Sequence, residues 1–398
     1  GVRPSMHAAF QARSEEIGIS IRALYGKLQG IEPHVTRELV RDTAARLAAI
    51  IDHTEGSLPS WLPGYRVKIL DGNHLRHTDR RLKELRTQNS APLPGHSLVM
   101  LDPERMLAID MFPCTDGHAQ ERRLLPEVLP TIEQGDVIVA DRNFCTMDFF
   151  AGIADRGAGF IIRQHKQTLR WELEGDCFQE GRIDTGVVYE QQMRLLPQKG
   201  DPWLVRRISV ELDEPTRDGD MELHVLTNLP ESVDALTIAE IYRRRWTIET
   251  AFQELEATLE GELNTLCYPQ AALFAFAMAL VAYNVLSTVK AALRGEYGAE
   301  RINNEVSGYY LADEVAGTWR GMMIVLPAEY WTEQFTDRTP RQMAQFLRQT
   351  ARHIRLAAFR KHPRGPKKKP ASKMNKKHRG HVSTARILNQ RRSKSTKK

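Results

Sequence analysis

The segment DVIVADRNF (136–144) constrains the fold more than any other. Val137 to Ala140 are apolar in succession. A strand with one wet face alternates apolar and polar residues. One that does not alternate belongs in the middle of a sheet, covered on both faces. Asp141 follows it at once. The neighbouring segments supply the rest of such a sheet. YRVKILDGNHL (65–75) predicts a strand ending in Asp71-Gly72. SLVMLDPERMLAIDMF (97–112) predicts a hairpin turned at Asp102-Pro103. ERRLLPEVLPTI (121–132) suits a short helix, MDFFAGIADRGAG a helix stopped by glycines, and FIIRQH (160–165) a further strand. The order strand, hairpin, helix, strand, helix, strand predicts a mixed α/β sheet flanked by helices.

The flanks read differently. HAAFQARSEEIGISIRALYGKLQG and TRELVRDTAARLAAIIDH carry apolar residues at helical spacing, so residues 1–62 form a helical region, closed by the Pro-rich LPSWLPGY (58–65). This region is a candidate for DNA binding. Residues 63–166 are the first part of the α/β core. From 167 to 230 the strand-like segments VVYEQQMRLL, WLVRRISVEL and MELHVLTNL predict a β-rich insertion. Residues 231–296 return to the core. A helix there starts near Thr237, with Glu240 three residues on as in a capping box. PQAALFAFAMALVAYNVLSTVKAAL (269–293) has no charge from Ala271 to Val289, long enough to cross a membrane. Its alanines, with Asn284, Ser287 and Thr288, favour a buried core helix instead, and no membrane is expected. Residues 297–360 read as amphipathic helices, a candidate dimerisation region. Residues 361–398 are a low-complexity tail.

Charge separates the tail from the body. The chain totals +6, and residues 361–398 hold 15 Lys and Arg with no acid, so residues 1–360 carry −9. Such a tail, with Lys367, Lys368 and Lys369 at its densest run, suits a polyanion, bound without sequence preference and weakened steeply by salt. An acidic body that holds a polyanion needs local basic patches. Four cysteines stand far apart without a C-x-x-C, which argues against a disulfide framework and a thiolate zinc site and fits a reducing cytoplasm. His74 and His77 lack two further ligands at zinc spacing and read as surface, turn or phosphate-contact residues. Residue 1 is Gly, so the chain reads as a fragment or a processed product.

The segment IYRRRWTIETAFQELEATLE (241–260) carries two stripes on one predicted helix. Ile241, Ile248, Phe252, Leu255 and Leu259 form a buried stripe. Tyr242, Arg245, Glu249 and Glu256 form a second stripe beside it. A phenol, a guanidinium and two carboxylates thus stand next to the core, where a solvated face would lie opposite it. Trp246 is expected to pack against the sheet. Asp71 and Asp141 each end a predicted strand, the edge at which α/β sheets form their sites. Carboxylates converging there suit a hard cation such as Mg²⁺. Two such ions can activate an attacking oxygen and stabilise the leaving oxygen of a phosphodiester, and Arg245 and Tyr242 suit phosphate contacts. Taken singly, Asp71 reads as a turn residue, Asp141 as a cap or a partner of Arg142, and Glu249 as a partner of Arg245.

Taken together, these residues resemble a family. LDGN with Asp71, VIVADRNF with Asp141, and Y-x2-R-x3-E with Tyr242, Arg245 and Glu249 are similar to the three motifs of DDE transposases, specifically those of the insertion-sequence-four family. LTNLP (226–230) resembles that family too, and the likeness covers about 60 to 295. It implies a ribonuclease-H-like core interrupted by a β-rich insertion, which suits the 107 residues between Asp141 and Glu249. It implies Asp71, Asp141 and Glu249 as catalytic ligands of two Mg²⁺ ions, with Mn²⁺ able to substitute. It further implies hydrolysis at transposon ends, joining of the 3′-hydroxyl to target DNA, and a homodimer on double-stranded DNA, in the bacterial cytoplasm at the nucleoid. No small-molecule substrate is implied. Relatives pass through a DNA hairpin, with an insertion-domain tryptophan on a flipped base, a role for Trp203 or Trp171. Arg244, His74 and Lys166 are further phosphate-contact candidates. One position departs: where the family carries a lysine seven residues after the glutamate, this chain has Glu256. That departure puts hairpin handling in doubt more than metal-dependent cleavage. The rival functions are a domesticated nuclease that cuts without joining, and a DNA-binding protein without catalysis.

Overall fold

The computed structural model describes residues 5–75, 95–117, 119–165, 167–198, 200–216, 219–259, 263, 268–326 and 328–362. His77, Lys166, Cys267 and Lys367 to Lys369 lie outside these residues, as does the side chain of Glu256.

The apolar run 137–140, with Asp136 before it, forms an interior strand of a sheet that has nine strands among the described residues, and all five residues of the strand are buried. The strands are β1 (Arg66–His74), β2 (His96–Asp102), β3 (Leu107–Cys114), β4 (Asp136–Ala140), β5 (Gly159–Arg163), β6 (Trp171–Ile183), β7 (Gly186–Leu195), β8 (Trp203–Leu212) and β9 (Glu222–Thr227). Their spatial order is β3-β2-β1-β4-β5-β9-β8-β7-β6. Pairs β1–β4 and β4–β5 are parallel; the other neighbours are antiparallel. The fold is the expected mixed α/β class, consistent with a ribonuclease-H-like transposase domain. The strands of the insertion extend the same sheet, because β9 returns to pair with β5. Asn228 extends that junction with its side chain. Its Oδ1 accepts from Phe160 N at 2.9 Å, and its Nδ2 donates to Ala158 O at 3.0 Å.

The sheet is covered on both faces, as an unalternating β4 requires. Ile69, Val137, Val139 and Ile161 pack with the helices Ala235–Arg244, Thr247–Leu259 and Pro269–Tyr297. Leu70, Ile138, Ala140 and Ile162 pack on the other face with Leu125, Val128, Phe149 and Phe150. The apolar helix Pro269–Tyr297 is a core element. Asn284, fully buried, accepts from Ala108 N at 2.8 Å and donates to Ala108 O at 2.9 Å, which fastens the helix to β3.

Four local expectations differ from the structure. β6 has no counterpart in the sequence reading: it is a polar, largely exposed edge strand, and edge strands are protected by such charge. Asp71-Gly72 does not end β1, which runs on to His74 opposite β2. The helix of the third motif begins at Ala235, not near Thr237. Asp234 caps it, accepting from Thr237 N and Thr237 Oγ1, while Glu240 pairs with Arg243. That helix also does not continue unbroken to 259. It stops at Arg244 and a second helix starts at Thr247.

Candidate active site

The parallel ladder between β1 and β4 ends with the pair Leu70 and Ala140. Asp71 and Asp141 are the next residues on two adjacent strands. Backbone alternation turns them to the face opposite Leu70 and Ala140, the face covered by the helices that follow Asp234. Asp141 keeps an extended backbone (φ −79°, ψ 172°), so the alternation carries through it. The two aspartates are neighbours because of register, with 69 residues between them in sequence.

The third contribution comes from the helix break. Arg245 N bonds to Tyr242 O at 3.0 Å, a tightened turn, and Thr247 Oγ1 caps Arg244 O at 2.7 Å. The tight turn drives Arg245 inward, where it is 5% exposed, and Trp246 outward, where it is 62% exposed. The expectation that Trp246 packs against the sheet is therefore wrong. Glu249 falls in the first turn of the second helix, half-exposed.

Arg245 ties these elements together. Its Nη1 donates to Asp71 Oδ2 at 2.8 Å and its Nη2 to Glu249 Oε1 at 2.9 Å. Asp71 Oδ1 accepts from Gly72 N at 2.9 Å. Tyr242, buried beside the Arg245 guanidinium, donates its hydroxyl toward Asp141 Oδ1 at 3.4 Å. Burial pushes the Asp71 carboxyl up to about 6; Arg245 and the Gly72 N–H pull it back, and Glu249 and Asp141 push it up again. Burial works against the Arg245 charge, but Asp71, then Tyr242, Asp141 and Glu249, outweigh it and hold its pKa above the ordinary value. Burial, then Asp141, raises the Tyr242 phenol, so it stays protonated and able to donate.

The same span of chain matches a family model. The model of the transposase DDE domain matches residues 63–285, more than half of the chain. The chain belongs to the DDE transposase family. No curated protein matches it.

DDE transposases are generally dependent on divalent metals. In this transposase the donor set is of the hard-cation type: oxygen atoms of Asp71 and Glu249, paired with one buried positive charge, and of Asp141 beside the Tyr242 hydroxyl. Among the described residues no three acidic, His or Cys side chains stand close enough to ligate one ion as they are. The guanidinium of Arg245 occupies the space between Asp71 and Glu249 and serves there as the cation. Among the described residues Arg245 Nε is buried with no hydrogen-bond partner, a donor left over for another oxygen.

A cleft of about 690 Å³ reaches the residue after Asp141 and is lined among others by Arg142, Arg163, Trp171, Arg207, Asp220 and Glu222, with Arg163 paired to Asp220 at 2.9 Å. Arg142 directly follows Asp141, and Arg163 is close enough to lower the Tyr242 phenol pKa. Arg207 stacks over the Trp171 ring at 6.0 Å. The two tryptophan candidates thus part company. Both pack against the core, but Trp171 also lines the cleft, while Trp203 sits edge-on to Phe160 at 5.8 Å. Arg244 stands outside the carboxylate cluster, 5.8 Å from the Trp61 ring. His74 lies on the other face of β1, beside Glu121. The cleft arginines escaped the sequence reading, although Arg142 and Arg163 were legible as cations at the ends of the two parallel strands.

Proposed function

We propose that this transposase is a cut-and-paste enzyme of the insertion-sequence-four type. One observation carries the proposal: Asp71 and Glu249 pair with one buried guanidinium, and Asp141 meets the Tyr242 hydroxyl beside it, so three carboxylates from three separate elements converge there. In this reading Asp71, Asp141 and Glu249 would hold two divalent cations, Mg²⁺ or Mn²⁺, which would supply activation of the attacking oxygen and stabilisation of the leaving oxygen of a phosphodiester. The chain's own residues bind and orient the DNA. Arg245 moves from Asp71 and Glu249 to a phosphate, for which its planar fork and its spare Nε are suited. Tyr242, kept protonated, donates to Asp141 or to the phosphate. Arg142, Arg163 and Arg207 neutralise the strand in the cleft, where an acidic body most needs cations. Trp171 offers a face for an unstacked base; Trp203, held against Phe160, does not. Two copies on paired transposon ends, the basic tail on flanking DNA and residues 1–62 on the end sequence complete the assembly.

The test uses DNA carrying the inverted repeats that flank the gene. Mg²⁺-dependent cleavage lost in Glu249→Gln, together with joining of a pre-cut 3′-hydroxyl end to target DNA, is the expected result. Cleavage without joining points to a nuclease. Cleavage unchanged in Glu249→Gln refutes the assignment of the site.

A further inference from the structure

The role of Gly72, the residue directly after Asp71, is set by what lies against it. An Asp-Gly pair in a sequence suggests a turn, yet Gly72 sits in β1, opposite Leu98 of β2. Its φ is not in the left-handed region, so its backbone does not demand glycine. What demands glycine is space. A Cβ at residue 72 would lie 2.0 Å from Glu121 Oε1 and 2.5 Å from Glu121 Cδ. The Glu121 carboxylate rests on the bare strand where a side chain would otherwise be.

Glu121 is only 15% exposed there, and it touches both aspartate-bearing segments. Its Oε1 stands 3.6 Å from His74 Nε2, at the end of β1. Its Oε2 accepts from Asn143 Nδ2 at 3.2 Å, in the turn that follows Asp141. The next residue adds a second tie: Arg122 Nε donates to Asn143 O at 2.6 Å. Beyond Leu70 and Ala140 the β1–β4 ladder has no further rungs. From Asp71 to His74 the strand is held by β2 alone, and no ladder bond joins it to the turn after Asp141. Alternation places Glu121 on the face of β1 opposite Asp71, so it cannot be a fourth member of the carboxylate cluster. The N–H of Gly72 also holds Asp71 Oδ1, so the strand that Glu121 presses on is the strand that aims Asp71.

We infer that Glu121 is a positioning residue. It staples the end of β1 to the turn after β4 across Gly72 and so sets the separation of the Asp71 and Asp141 carboxylates. The inference rests on the metal-site reading above. The staple takes the place of missing ladder bonds, and Gly72 is the seat on which it closes. Outer partners of this kind typically change metal affinity by about ten- to a hundredfold when removed.

Mn²⁺ binding to the DNA-free, full-length protein, followed by electron paramagnetic resonance, tests this without relying on catalysis. Glu121→Ala is expected to weaken Mn²⁺ binding by about tenfold. Gly72→Ala is expected to weaken it equally, because the added methyl turns the flexible Glu121 carboxylate out of its seat. The double variant should be no weaker than either single one, since both remove the same contact. Glu121→Gln, which keeps an acceptor for Asn143, should bind like wild type. Thermal unfolding run in parallel separates positioning from simple stability. Full Mn²⁺ affinity in Glu121→Ala, or additive losses in the double variant, overturns the inference. Asp141→Asn is the control for the site itself: unchanged Mn²⁺ binding there would overturn the metal-site reading, and the staple with it.

Discussion

Replacing Asp71 by asparagine is expected to stabilise the protein while abolishing its cleavage. In the folded chain the Asp71 carboxyl is pushed from 3.8 up to about 6, chiefly by burial, with Glu249 and Asp141 adding to it against Arg245 and the Gly72 N–H. A raised carboxyl pKa means that the folded state holds the proton more tightly than the unfolded state. Stability is therefore lost as pH rises from about 4 to about 6, in total by about 3 kcal/mol for this difference. Asparagine is nearly the same shape and carries no charge, so it escapes that cost. Two effects reduce the gain. The Asp71 side chain keeps 18% exposure, and Arg245 loses one of its anionic partners. About 2 kcal/mol of added stability is the expectation at pH 7.5, with almost none at pH 4. Urea unfolding of both proteins in EDTA at the two pH values measures this directly. An Asp71→Asn protein no more stable than wild type at pH 7.5, or stabilised equally at pH 4, would refute the reasoning. The expected outcome is the usual trade of stability for a charged, desolvated site.

Further outcomes follow from other contacts. Arg245→Gln removes the internal cation that competes for Asp71 and Glu249, so Mn²⁺ affinity of the DNA-free protein should rise by roughly tenfold while cleavage falls; electron paramagnetic resonance titration and a gel assay read the two effects. Trp171→Ala should weaken binding to hairpin-ended DNA by about tenfold, measured by fluorescence anisotropy. Trp203→Ala should instead lower stability by about 2 kcal/mol and leave the affinity of the folded protein unchanged. Asn284→Ala strands the Ala108 N–H and C=O in the core and should cost about 2 to 4 kcal/mol in urea unfolding.

Much of the architecture was legible because burial writes itself into periodicity. Val137 to Ala140 announced an interior strand, and the apolar helix at 269–293 disclosed its core position through Asn284. β6 escaped because a solvated edge strand has no apolar face to show. Trp246 was expected inside although helical spacing sets it off the Ile241–Ile248 stripe, and the structure leaves it exposed. Nothing local in RRRWT marks a tightened turn. At the site, helical spacing grouped Tyr242, Arg245 and Glu249, and the structure does bring them together. Trp171 and Trp203 could not be told apart, because each begins a strand and only the packing of Phe160 separates them.

The sequence by itself determined which residue types stand at strand ends and along one helix edge, and hence the fold class and the family. Those properties depend on neighbours a few residues apart, through strand alternation and helical period. Only the tertiary structure decided that Leu70 pairs with Ala140, so that Asp71 and Asp141 emerge side by side. It alone decided that one arginine neutralises Asp71 and Glu249 together, and that Gly72 is bare so that Glu121 can lie on it. These are contacts between residues roughly 20 to 180 positions apart. Their partners are chosen by register and packing, which no local pattern specifies.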